Sequence, residues 1–137
     1  MIKTSIGHLI LNIDLKNLGF YKALMDFLGW TVMYDAPNML GVEIEQGTSL
    51  WFARCDEAAN NDYDGVGMNH LAFAAKSQAD VDKTVAYLNE LGIPALFNTP
   101  CHRPEFSLSP DETYYQVMFE TPDRILFEVV YIGPRTG

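Results

Sequence analysis

Cysteine is scarce. Cys55 and Cys101 are the only two in 137 residues, too few for a disulfide framework, and two free thiols in a reducing compartment are the simpler reading. Positive charge is scarce as well: nine lysines and arginines face eighteen aspartates and glutamates, a net charge of −9 at pH 7. Such a surface repels phosphate backbones and anionic lipid, so neither nucleic acid nor a membrane surface is an expected partner. Long apolar runs are missing too. The opening stretch MIKTSIGHLILNIDL is broken by Asn12 and Asp14 and has no signal-peptide cleavage pattern, which points to a cytoplasmic protein. What is present is the mixture of an ordinary globular domain, 48% hydrophobic and 20% charged, in a chain long enough to bury a core without staples. A single domain over residues 1–137 is expected.

Hydrophobic periodicity divides that domain into two halves of one plan. Residues 6–13, IGHLILNI, read as a short buried strand, with Asp14 as N-cap of the next segment. Tyr21, Leu24, Met25 and Leu28 then recur at i, i+3, i+4 and i+7, a helical stripe closed by Gly29. Three strands come next, WTVMY, LGVEIE and SLWFARC, with turn signals at 35–38 and 46–48. The second half repeats the order. MNHLAFAA (68–75) is a strand, Ser77 and Asp80 open a helix in capping-box fashion, Val81, Val85 and Leu88 form its stripe, and Gly92 closes it. IPALF, YYQVMFE and ILFEVVYI complete the set, the last two joined by a turn at 121–124. His8 precedes Gly29 by 21 residues and His70 precedes Gly92 by 22. Two βαβββ units offset by about 62 residues are therefore expected, about 5–55 and 66–132, with the acidic stretch 56–65 as a solvated linker. Its spacing does not match a calcium loop.

Strand alternation then sorts the side chains. His8, Ile10 and Asn12 share one face and His70, Ala72 and Ala74 another, while the wholly apolar faces should lie under the helices. Glu128 sits inside the apolar strand ILFEVVYI, where a carboxylate is costly unless paired, protonated or bound to metal. Two histidines and one carboxylate are a recognised set for a divalent ion. The same residues also admit a plain reading, two core histidines bonded to backbone and an edge glutamate facing solvent.

The doubled plan, the FYKALMDFLGW helix with its terminal glycine, MNHLAFAA and FETPDRILFEVV together resemble the vicinal oxygen chelate superfamily over about residues 5–132. That superfamily includes glyoxalase I, extradiol dioxygenases, fosfomycin-resistance enzymes, methylmalonyl-CoA epimerase and bleomycin-resistance proteins. The resemblance implies an α+β fold in which the two βαβββ units form a cupped mixed sheet around a central cavity. PDRILFE resembles the family's Asp-Pro-Asp-Gly turn and the strand carrying the metal-binding Glu. Thr121 and Arg124 replace the first Asp and the Gly, so a differently built turn is expected.

By the same resemblance, His8, His70 and Glu128 would bind a divalent metal ion (Fe, Mn, Zn or Ni). A fourth ligand site falls near Trp51, which cannot coordinate, and this departs from the glyoxalase I and epimerase pattern. The retained triad is that of extradiol dioxygenases and fosfomycin-resistance enzymes. However, the extradiol Tyr position reads Met118, and no basic, hydroxyl-rich phosphonate site is evident. The implied function is a metal-dependent enzyme acting on a small oxygen-chelating substrate by dioxygenase-, lyase- or isomerase-type chemistry, in a homodimer. The alternative is a non-catalytic module that sequesters a small molecule, as bleomycin-resistance proteins do. The stretch 97–113 reads as an extra loop able to close over the cavity. His102 within it is a candidate acid–base residue and Arg103 a candidate substrate contact, joined by Trp51 and Tyr115.

Overall fold

The periodicities of the two halves reappear as two sheets, each with one helix. A computed structural model describes residues 1–45, 47–57 and 59–137. The chain divides into two compact units, Met1–Ala59 and Asn60–Gly137.

The first unit comprises β1 (His8–Ile13), α1 (Leu18–Phe27), β2 (Thr31–Ala36), β3 (Met39–Glu43) and β4 (Ser49–Arg54), in the sheet order β1-β4-β3-β2. β1 and β4 are parallel and the other pairs antiparallel. Leu11, Ile13, Leu40, Val42, Leu50 and Phe52 are buried, as are Tyr21, Leu24 and Met25 of α1, and the Tyr21 and Phe52 rings lie 4.7 Å apart. Leu28, the last member of the expected stripe, is the C-cap and half-buried. Asp14 does act as a cap, but of the short 3-10 turn Leu15–Asn17 that precedes the helix, its carboxylate accepting from the Lys16 N–H. The turn expected at 46–48 includes Gln46, which lies outside the described residues.

The second unit comprises β5 (Leu71–Ala74), α2 (Gln78–Glu90), β6 (Leu96–His102), β7 (Glu112–Glu120) and β8 (Leu126–Pro134), in the order β5-β8-β7-β6, again with one parallel pair, β5 with β8. Ser77 caps α2 by accepting from Asp80 N–H at 3.1 Å. The helix buries Val81, Thr84 and Leu88, whereas Val85 is only half-buried. Thr84 can turn inward because its hydroxyl donates to the Asp80 carbonyl at 2.9 Å, leaving only its methyl to pack. On the helix side of the sheet, Phe127 meets Phe73 and Phe119 edge-on, with centroids 5.2 and 6.0 Å away.

Two readings change. First, 97–113 is not a loop throughout: β6 runs to His102 and β7 starts at Glu112. Left-handed φ angles at Phe97 and Asn98, Pro100, and a register shift between Leu96 and Cys101 break the alternation by which a strand is recognised. Second, 56–65 is not solvated throughout. Tyr63 is buried against Met118, Leu126 and Leu96, its hydroxyl donates to Glu120 at 2.5 Å, and Arg124 stacks over its ring at 4.5 Å. The turn before β8 uses Thr121 and Arg124 where the resemblance places Asp and Gly. Arg124 adopts φ 57°, the left-handed conformation that glycine favours. The Thr121 hydroxyl accepts from the Asp123 and Ile125 N–H groups, as an Asp side chain would. Ion pairs of Arg124 with Asp64 and Glu120 accompany that backbone.

Candidate functional site

β8 delivers Glu128 to the sheet face turned away from α2. Register sets Met118 of β7 directly opposite it, so Gln116 and Tyr114 follow on the same face. Glu128 is 1% exposed, and a carboxylate at that depth needs a full set of partners. It has them. Oε1 accepts from the Tyr114 hydroxyl at 2.6 Å and from Gln116 Nε2 at 3.3 Å, while Oε2 lies 2.8 Å from His70 Nε2. Burial, then the bond to Glu128, pushes the Tyr114 hydroxyl well above its ordinary pKa, so it keeps the proton it donates.

His70 is held by the residue before it. Asn69 Nδ2 donates to the Tyr63 carbonyl at 3.2 Å, which turns Asn69 Oδ1 toward His70 Nδ1 at 2.7 Å. An amide oxygen only accepts, so Nδ1 carries the hydrogen and a neutral ring presents a bare Nε2. That bare nitrogen faces Glu128 Oε2, another acceptor. Something positive must lie between them, either a proton or a metal ion. Two ligand atoms each about 2.1 Å from an octahedral divalent ion stand about 3 Å apart, so the 2.8 Å pair suits either occupant. An imidazole nitrogen and a carboxylate oxygen are also donors that Fe, Mn, Zn and Ni accept.

The other candidates divide between the two faces and the two units. His102 pairs in register with Tyr115, on the α2 side. Its Nδ1 meets Thr113 Oγ1 at 2.5 Å, its ring lies 4.5 Å from that of Tyr115, and the Tyr115 hydroxyl donates to Asp82 of α2 at 2.6 Å. Burial, then the bond to Asp82, raises the Tyr115 hydroxyl to about 12. His102 lines an open cleft of about 420 Å³ with Pro104, Leu108, Glu112, Thr113 and Arg135. Burial, then the Arg135 charge, holds its imidazole below the ordinary pKa. The sheet therefore separates His102 and Tyr115 from Glu128. Arg103, one residue along, falls on the Glu128 side, where Nε donates to Gln116 Oε1 at 3.2 Å and Nη2 to the Phe97 carbonyl at 3.0 Å.

His8 and Trp51 belong to the first unit. His8 opens β1 with its side chain exposed. Trp51 is half-buried, donates from Nε1 to Ser49 Oγ at 3.1 Å and lies across Gly41, where an added Cβ would stand 2.6 Å from the indole. Gly41→Ala should thus displace the ring at a cost of about 1–3 kcal/mol. A lower melting temperature with altered tryptophan emission is expected, and an unchanged melt and spectrum would refute that packing. Among the described residues, no three His, Cys, Asp or Glu side chains are gathered into a group that could hold a metal.

Asn69 and Gln116 escaped the sequence reading. Alternation puts Tyr114 and Tyr115 on opposite faces of β7, and the register of β7 on β8 shows that Tyr114 is the one sharing a face with Glu128. The available signal for Gln116 was a polar residue inside YYQVMFE, matching the polar residue inside ILFEVVYI.

No protein-family profile matches the chain. Among curated proteins, a stretch of 65 residues, 47% of this chain, is 37% identical to the uncharacterized protein YqjT of Bacillus subtilis (strain 168). The match covers 47% of that protein, so the chain spans about half the length of the curated relative it matches. Solved structures align over nearly the whole chain. A candidate glyoxalase from Bacillus halodurans is 27% identical over 92% of this chain and 94% of its own, with TM-score 0.75. A glyoxalase/bleomycin resistance protein from Albidiferax ferrireducens T118 is 18% identical over 92% and 97%, with TM-score 0.71. The fosfomycin resistance protein FosX from Listeria monocytogenes, complexed with Mn(II) and sulfate, is 18% identical over 95% and 91%, with TM-score 0.67.

Proposed function

We propose that this chain, which belongs by fold to the vicinal oxygen chelate superfamily of glyoxalase/bleomycin resistance/dioxygenase proteins, is a divalent-metal-dependent enzyme for a small substrate with two neighbouring oxygens. The observation that carries the reading is the facing pair His70 Nε2 and Glu128 Oε2, two acceptors 2.8 Å apart with their other atoms already engaged. FosX, of the same fold, is complexed with Mn(II), which supports the choice of a metal over a proton. His8, exposed at the start of β1, stays a proposed metal ligand by the family resemblance.

When bound, the ion supplies Lewis acidity, polarising the substrate oxygens and stabilising the oxyanion that develops on them. The chain's own groups prepare for this. Asn69 fixes the His70 tautomer, Tyr114 holds its proton against Glu128 Oε1, and the burial of Glu128 keeps water from competing for its oxygens.

Metal titration of the purified chain tests the reading. About one Mn(II) per chain is expected, with affinity reduced about 100-fold or more in His70→Ala and His8→Ala. Unchanged affinity in His70→Ala would remove the site, and unchanged affinity in His8→Ala would remove the third ligand. A second reading, sequestration of an aromatic molecule without metal, draws on the exposed Ile10 and Tyr34 beside the half-buried Trp51. It requires that ligand affinity survive complete chelation of metal.

A further inference from the structure

Resting on the metal reading above, we infer that Arg103 and Gln116 are positioning residues that confine metal binding to a single oxygen of Glu128. The deduction uses only donor and acceptor identity. A guanidinium has no acceptor, so the Gln116 atom 3.2 Å from Arg103 Nε is the amide oxygen. With that oxygen turned to Arg103, the Gln116 amino group must point the other way, and it meets Glu128 Oε1 at 3.3 Å. The Tyr114 hydroxyl donates to the same oxygen at 2.6 Å. Oε1 is thus held by two donors, and Oε2 alone faces His70.

Tyr114 by itself would not fix this outcome. A carboxylate with one donor can rotate to offer both oxygens, and an unconstrained Gln116 could present its carbonyl to Glu128 and repel it. Arg103 removes that choice at a distance. It never touches Glu128, but it determines which end of Gln116 does. Arg103 is itself steadied by the Phe97 carbonyl, which Nη2 reaches at 3.0 Å. Phe97 sits in the left-handed pair Phe97-Asn98 at the irregular start of β6, so this irregularity bears on the site from outside it. The arrangement gives Arg103 a role other than substrate contact. It also predicts that Glu128 serves as a one-oxygen ligand.

The test is Mn(II) affinity of the full chain, read by electron paramagnetic resonance of free ion, for wild type, Arg103→Leu, Gln116→Leu, the double variant and Arg103→Lys. Each leucine variant should bind Mn(II) 10- to 100-fold more weakly, the range expected when a partner of a ligand is lost. The double variant should be no weaker than Gln116→Leu, because Arg103 acts only through Gln116. Arg103→Lys should recover most of the loss, since an ammonium also donates to the amide oxygen. Melting temperatures without metal show whether any variant is merely unfolded, and Arg103→Lys carries the test if Arg103→Leu is. Additive losses in the double variant, or full affinity in Arg103→Leu while Glu128→Gln binds nothing, would overturn the inference and leave the metal site standing. Absence of Mn(II) binding by wild type would overturn both, a result distinguishable from the first two.

Discussion

Glu128→Gln should leave the metal-free protein at least as stable as wild type while removing about 100-fold or more of its divalent-ion affinity. In the wild type, the facing atoms of His70 and Glu128 need a proton or a cation between them. A glutamine in the same place needs neither. Its oxygen can accept from Tyr114 and Gln116 as Oε1 does, and its amino group can donate to the bare His70 Nε2. The network closes on itself, and a buried charge disappears, an exchange that is often neutral or stabilising. Glu128→Ala differs, since it strands the Tyr114 hydroxyl, the Gln116 amide and the imidazole in a buried space, at a cost of about 2–4 kcal/mol. Thermal melts with and without Mn(II) separate the cases. At a metal concentration about 100 times Kd, binding stabilises the wild type by about 2.7 kcal/mol, a rise of roughly 10 °C for a chain of this size. Glu128→Gln should show none of that rise. Equal rises in both proteins would sink the assignment of Glu128 as a ligand.

That contrast also marks how far the sequence could be read. His8, Ile10 and Asn12 share a strand face whatever the fold, because alternation is local, whereas His70 stands one residue ahead of β5, which is shorter than the strand 68–75 that the sequence suggests. The stripe of α1 and the Ser77 cap of α2 are local in the same way. Glu128 stood out because an acid in an apolar strand demands a partner. The partners themselves were hidden. Gln116 and Tyr114 reach Glu128 across a strand pair, so their role depends on register, and register is set by the turn at 121–124. There, a threonine hydroxyl and a left-handed arginine stand in for the Asp and Gly that a pattern would look for. The candidate His102 failed to join Glu128 for a similar reason. A single residue decides the face, and the irregular start of β6 obscured which residue that was. Reading 97–113 as a loop made His102 free to move, whereas a strand commits it to the α2 side and commits Arg103 to the other.

Tyr63→Ala is the substitution that most sharply tests the stretch between the halves. A tyrosine in a solvated linker can be truncated with little effect, within about 0.5 kcal/mol. Here the ring is 7% exposed and fills space beside Met118, Leu126 and Leu96. Its removal should destabilise the second unit by about 3 kcal/mol, near the lower end for a buried aromatic. Tyr63→Phe keeps the ring and loses only the hydroxyl bond to Glu120, so about 1 kcal/mol is expected. Trp30 and Trp51 both lie in the first unit, so the second unit needs a probe of its own. Amide exchange of β7 and β8 should detect the loss as faster opening. Exchange rates in Tyr63→Ala equal to wild type would restore the linker reading. The consequence also reaches the site, because the Tyr63 carbonyl orients Asn69, and Asn69 sets the tautomer of His70. A chain that loosens at Tyr63 should therefore bind Mn(II) more weakly than Tyr63→Phe does. The core of the second unit and the orientation of the proposed ligand His70 are joined through one residue of a stretch that composition alone assigns to solvent.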